Sequence, residues 1–111
     1  ALERYYRRMA RTEVLGRLEP VLSALGAEYS ELRIAGQRTR WGSCSARGVL
    51  SFNWRLLLAP ESVLRYVIWH EACHLKVLDH SPRFWQLLET HLPGYRQDND
   101  WLRQNGATLV L

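Results

Sequence analysis

The stretch WHEACHLKVLDHS, residues 69–81, gathers His70, His74 and His80 in a chain that holds only four histidines. In a helix each residue advances about 100°, so His70 and His74 would lie about 40° apart, one turn apart along the axis, and their imidazoles could meet at one point. Around His70, the residues Val63, Tyr66, Val67, Cys73 and Val77 fall within roughly 60° on either side, while Glu61, Arg65 and Lys76 collect on the opposite face. The pair therefore points inward, where ring nitrogens need partners. Glu71 between them completes H-E-x-x-H. In that motif the histidines bind zinc and the glutamate, too far round the helix to join them, takes a proton from the water that the metal holds. The plain alternative is a pair of core histidines satisfied by hydrogen bonds beside a surface glutamate; the full motif on an inward helix face weighs against it.

A catalytic zinc takes three protein ligands and leaves a position for water. His80 is the natural third. Its spacing from His70 matches H-E-x-x-H-x-x-G-x-x-H except that Val77 replaces the glycine, and valine is poorly suited to the positive φ of a sharp return. The chain must come back differently, with the helix ending near Leu78 and Asp79-His80 forming a turn before Ser81. Glu89 and His91, on the following helix, are the substitute ligands. Tyr66, one turn before His70, and Arg40, Asn53 and Arg55 are candidates to contact substrate or a developing oxyanion. Each also has a structural reading, as a satisfied core phenol or as hydrogen bonding at strand ends. Cys44 has no dedicated base and no nucleophile signature around it, and Cys73 reads as packing.

These side chains must be positioned by a small molecule. With 111 residues and 47% hydrophobic composition, the chain can bury one core, and 1–111 reads as a single domain. Two cysteines are too few for a disulfide scaffold and suit free thiols in a reducing compartment. The net charge of +4 and pI near 9.5 would suit an anionic partner, but no nucleic-acid motif accompanies them, and Arg7, Arg8 and Arg11 read as a solvated helix face. No apolar run is long enough to span a membrane, and the opening ALERYYRRMA lacks a signal-peptide core; with Ala1 read as a trimmed start, the expectation is a soluble, cytoplasmic protein.

Along the chain, Leu2, Tyr5, Met9, Leu15, Leu18, Leu22 and Leu25 predict a long amphipathic helix closed by Gly26, with Pro20 kinking or splitting it. Strand-like segments at 29–34, 38–41 and 49–53 predict a three-stranded sheet whose second and third strands form a hairpin around Ser45-Ala46-Arg47-Gly48. Pro60 opens the histidine helix, expected to reach Val77 or Leu78. Ser81-Pro82 opens another, to Leu92, and 95–105 a last one, closed by Gly106. Helix, sheet, then helices is an α+β order. Trp41, Trp54, Trp69 and Trp85 are expected in the core.

Residues 38–85, RTRWGSCSARGVLSFNWRLLLAPESVLRYVIWHEACHLKVLDHSPRFW, resemble the YgjP-like metallopeptidase family, zincin-type proteins more distantly related to the SprT-like proteases. The blocks RWGSCS, FNWRL, AP, YV, HExxHL, HS and FW stand in the family's order and spacing, and the likeness continues through LPGYRQDNDWLRQNG. Full-length members usually carry a β-rich segment ahead of this region. Ala72 stands where members commonly have leucine, at a packing position. The resemblance implies a small zincin-like fold, one zinc on His70, His74 and His80, and Glu71 as general base. From zincin architecture, strand 38–41 is expected to be an exposed edge that an extended peptide joins.

The leading reading is a zinc-dependent hydrolase cleaving amide bonds of a peptide or protein. A second is a nucleotide pyrophosphatase, because activity on UTP is attributed to a relative; Arg38, Arg40, Arg55 and Arg83 would hold the polyphosphate. Few carboxylates stand near the motif, and no phosphate-cradling G-x-x-x-x-G-K-[ST] loop occurs. A third is a structural zinc or DNA-associated module, but such zinc sites are usually four-ligand, cysteine-rich and closed.

Overall fold

A computed structural model describes residues 2–36 and 40–108. Helix α1, Leu2–Leu25, turns Ala10, Val14, Leu18, Val21 and Leu25 into the core at three- and four-residue steps. The buried stripe keeps Leu18 and Leu25 of the predicted residues, with Leu22 packed beside them, but departs from the others: Leu2, Tyr5, Met9 and Leu15 are exposed. Two stripes compete on this helix, and packing against the rest of the fold selects the one carrying small and β-branched side chains. Nor does Pro20 split the helix. The burial of Leu18, Val21 and Leu25 on either side offsets the one backbone bond that proline removes. Gly26, at φ +62°, ends it as expected, with Ala27 N–H bonded to Leu22 O and Gly26 N–H to Ser23 O, both i→i−5 and i→i−3 closures of a left-handed cap.

The sheet is mixed. Strand β1 (Glu31–Ala35) runs parallel to β3 (Val49–Asn53), and β2 (Gly42–Cys44) pairs antiparallel with β3 on its other side, giving the order β1-β3-β2. Alternation sends Leu32, Leu50 and Phe52 to the core. The hairpin forms around the expected residues, with Gly48 at φ +84° and Ser45 Oγ accepting from the Arg47 and Val49 amides. The second strand, however, lies at 42–44, beyond the predicted 38–41, of which 38–39 fall outside the described residues. Gly42 is a poor strand former by composition, and pairing with β3 overrides that preference.

The two sheet edges differ. At β1, Arg7 donates to Ile34 O (3.0 Å) and Arg11 to Leu32 O (3.3 Å), so two guanidiniums one helical turn apart occupy carbonyls along that strand. They are clamps, where the sequence alone suggested a solvated face. At β2, Asn53 N–H bonds Trp41 O and Ser45 N–H bonds Val49 O, so residues at odd positions face β3 and the main chain of Gly42 and Cys44 faces outward.

A 3₁₀ turn, Trp54–Leu58, leads into α2, Glu61–Cys73, the central helix. It buries Val63, Leu64, Tyr66, Val67, Ile68, Trp69, Ala72 and Cys73 and packs against α1, the sheet and both later helices. It ends at Cys73, earlier than predicted, because its last turn tightens: His74, Leu75 and Lys76 amides bond the carbonyls three residues back. Helix α3, Pro82–His91, follows Ser81, and α4, Tyr95–Asn105, follows Gly94 at φ +89°. Gly106 does not terminate the chain's turns; it keeps right-handed dihedrals and opens a short 3₁₀ turn. Four helices and a three-stranded sheet around one hydrophobic cluster make the predicted α+β architecture. Among the described residues no helix is long and apolar enough to cross a membrane.

Candidate metal centre

His70 projects from the last turn of α2, His74 from its C-terminal cap, and His80 from the loop that returns before α3. Their ligand atoms lie within 4.8 Å of one another. His80 Nε2 stands 3.1 Å from His74 Nε2 and 3.3 Å from His70 Nε2. A tetrahedral zinc with Zn–N near 2.0–2.1 Å separates its donors by about 3.3–3.4 Å, so these spacings fit the edges of such a site.

The return that glycine would have made is achieved otherwise. The early end of α2 lets the chain fold under itself, and His74 Nδ1–H donates to Val77 O at 3.0 Å. That bond fixes the proton on Nδ1 and leaves the Nε2 lone pair for a metal. Behind the rings, Phe84 stacks on His74 (4.3 Å between centroids) and Trp85 on His80 (5.5 Å). Helix α3 thereby supplies the wall that holds two of the three imidazoles.

Burial favours the neutral form of His70 and His74. It pushes His70 down to about 4, with His74 and His80 adding to the effect, and lowers His74 as well. Neutral imidazole is the form that binds metal. Burial raises Glu71 to about 7, against the pull of Arg40. Its carboxylate opens on a cleft of about 320 Å³ between β2 and α4, lined by Trp41, Gly42, Tyr66, Val67, His70, Asn99, Leu102 and Arg103.

Gly42 makes this arrangement possible. A Cβ there would lie 2.9 Å from Glu71 Cγ and 3.1 Å from Glu71 Oε2 and Val67 Cγ1. Gly42→Ala is therefore expected to push the carboxylate aside and lower turnover about 10- to 100-fold, with zinc content unchanged. Equal turnover in the alanine variant would show that Glu71 does not depend on this close approach.

Of the other sequence candidates, Tyr66 and Arg40 stand beside the site and the rest lie away from it. Tyr66 is buried, its phenol pushed up to about 12 chiefly by burial, and its oxygen lies 3.3 Å from His70 Nδ1. Arg40 is exposed, with its charge acting on Glu71. Asn53 Oδ1 accepts from Arg55 N–H and its amide donates to Arg40 O, while Arg55 donates to Gly36 O. These two residues grip the ends of the segment joining β1 to β2. Arg83 lies on α3, on a surface shared with Lys76 and Val77, and Arg38 lies outside the described residues. Glu89 pairs with Arg96, and His91 stacks on Trp69, so neither joins the cluster. Cys44 and Cys73 are free thiols pushed up by burial to about 11 and about 12. Trp54 and Trp69 are buried, and Trp41 and Trp85 are partly buried, packed against the core at the edge of the site. Asn99 was not singled out in the sequence; an asparagine on a polar helix carries no signal that its side chain meets Tyr66.

The fold and the histidine cluster define a metal-dependent hydrolase of the metallopeptidase class. The chain belongs to the YgjP-like metallopeptidase-domain family, which it matches over residues 1–105. It is similar to the metallopeptidase zymogen abylysin of Pyrococcus abyssi, with 26% identity and a TM-score of 0.73 over 83% of this chain and 93% of that one. It also shares the fold of the zymogen jannalysin of Methanocaldococcus jannaschii, at 22% identity and a TM-score of 0.68 over 87% and 97% of the two chains. Curated protein sequences give no match.

Proposed function

We propose that the chain is a zinc-dependent peptidase with His70, His74 and His80 as ligands and Glu71 as general base. The observation that carries this reading is the convergence of three ring nitrogens at 3.1 and 3.3 Å beside a buried carboxylate that opens on a cleft. Zinc at this position would supply Lewis-acid polarisation of water and of the scissile carbonyl. Glu71 accepts the proton of the attacking water on its carboxylate and returns it to the departing amine nitrogen. Raised to about 7, this carboxyl is matched to proton transfer near neutrality.

The outward main chain of Gly42 and Cys44 on β2 offers a peptide strand its hydrogen bonds beside Glu71. At β1 the clamps Arg7 and Arg11 obstruct the same addition. Arg40 is the candidate contact for developing negative charge at the rim, with Asn53 holding its backbone and Arg55 holding Gly36. The polyphosphate reading lacks comparable support, since Arg55 and Arg83 are directed to different surroundings from Arg40. The test is cleavage of quenched peptides and casein by zinc-loaded protein, with UTP as the second substrate. The expected result is chelator-sensitive peptide cleavage and no pyrophosphate release; the reverse pattern would overturn the proposal.

A further inference from the structure

His70 and His74 face the same requirement: to offer Nε2 to a metal, each must carry its proton on Nδ1. For His74 the acceptor is a backbone carbonyl, Val77 O, which no side-chain substitution removes. For His70 it is the phenol oxygen of Tyr66, 3.3 Å away. A phenol can either donate or accept at that nitrogen, so Tyr66 by itself does not decide the tautomer. Its single proton is committed elsewhere. Asn99 Oδ1 on α4 accepts from Tyr66 O–H at 3.1 Å, which leaves the phenol oxygen to accept from His70 Nδ1–H.

From this geometry we infer that Asn99 is a positioning residue for the metal centre, acting through Tyr66 to hold the His70 proton on Nδ1 and the Nε2 lone pair toward the ion. The inference rests on the proposed role of His70 as a ligand. It also reassigns Tyr66 from a contact for substrate to a support for the ligand. The relay runs from α4 to α2 across the floor of the cleft, where Asn99 is itself a lining residue. Without the Asn99 acceptor, the Tyr66 proton is released to donate to His70 Nδ1, which favours the tautomer whose Nε2 carries hydrogen and cannot bind metal.

Asn99 is exposed on its helix, so its substitution leaves the core intact. The experiment compares wild type, Asn99→Ala and Asn99→Asp. In each metal-free protein at pH 7.5, long-range proton–nitrogen NMR reads which ring nitrogen of His70 is protonated, and chelator competition then reads zinc affinity. Wild type is expected to hold Nδ1–H. Asn99→Ala is expected to shift His70 toward Nε2–H and to weaken zinc about 10- to 100-fold, the usual cost of losing an outer partner of a metal-bound histidine. Asn99→Asp keeps an acceptor oxygen and is expected to retain both the tautomer and the affinity. An unchanged His70 tautomer in Asn99→Ala overturns the inference, whatever the zinc affinity does. Failure of wild type to bind zinc at all would instead overturn the metal-site reading, and the NMR result in the metal-free protein still decides the role of Asn99.

Discussion

Glutamine at position 71 is expected to cut peptide cleavage by roughly 10²- to 10⁴-fold, the range for loss of a positioned general base. Zinc should stay, because Glu71 is not among the converging ligands. The same substitution is expected to stabilise the metal-free protein at neutral pH. Burial raises the Glu71 carboxyl from 4.5 to about 7 in the folded chain. Between those values the folded protein holds a proton that the unfolded chain has released, so this group's contribution falls as pH rises through the window. Glutamine has no such proton. The gap between variant and wild type should therefore open from near zero below pH 4.5 to on the order of 3 kcal/mol above pH 7. His70, lowered to about 4, works in the opposite direction, gaining stability as pH rises to its unfolded value of 6.5, but it is common to both proteins and cancels. Urea unfolding of the two metal-free proteins at pH 5 and pH 8 checks the sign. A gap that is the same at both pH values would mean that the carboxylate is solvated and its pKa not raised.

Removing His80 is the second large effect. His70 and His74 are held by α2 and by the Val77 and Tyr66 bonds, but two imidazoles do not make a catalytic zinc site. His80→Ala should weaken zinc by more than the roughly 10- to 100-fold cost of losing an outer partner. The exposed side chain contributes little to the core, so circular dichroism of the metal-free variant should match wild type. Glu89→Gln and His91→Ala are the controls. Their partners are Arg96 and Trp69, and zinc affinity should be unchanged in both. Loss of zinc in either control with retention in His80→Ala would exchange the third ligand.

The histidine cluster was legible because helical spacing is short-range: His70 and His74 are placed by 3.6-residue geometry alone. His80 was legible as a position in a motif, while its path was not. Val77 ruled out a glycine-type return, but only the structure shows the Val77 carbonyl turned onto His74 and the helix stopping at Cys73. The face of α1 was misread for a different reason. Leu2, Tyr5 and Met9 outweigh Ala10 and Val14 in any hydrophobicity count, whereas the core accepts the stripe whose small side chains let the helix approach. The site of β2 was missed because Gly42 serves Glu71, a contact between residues far apart in sequence. Asn99 belongs to the same class, since its role arises from α4 crossing α2.

The proposed chemistry requires one zinc among His70, His74 and His80. Crystals grown with zinc and measured at the zinc absorption edge test it directly. The expected result is a single anomalous peak about 2.0–2.1 Å from the Nε2 atoms of those three histidines. A peak held by other residues, or none after reconstitution with zinc, would rule out the three-histidine zinc site.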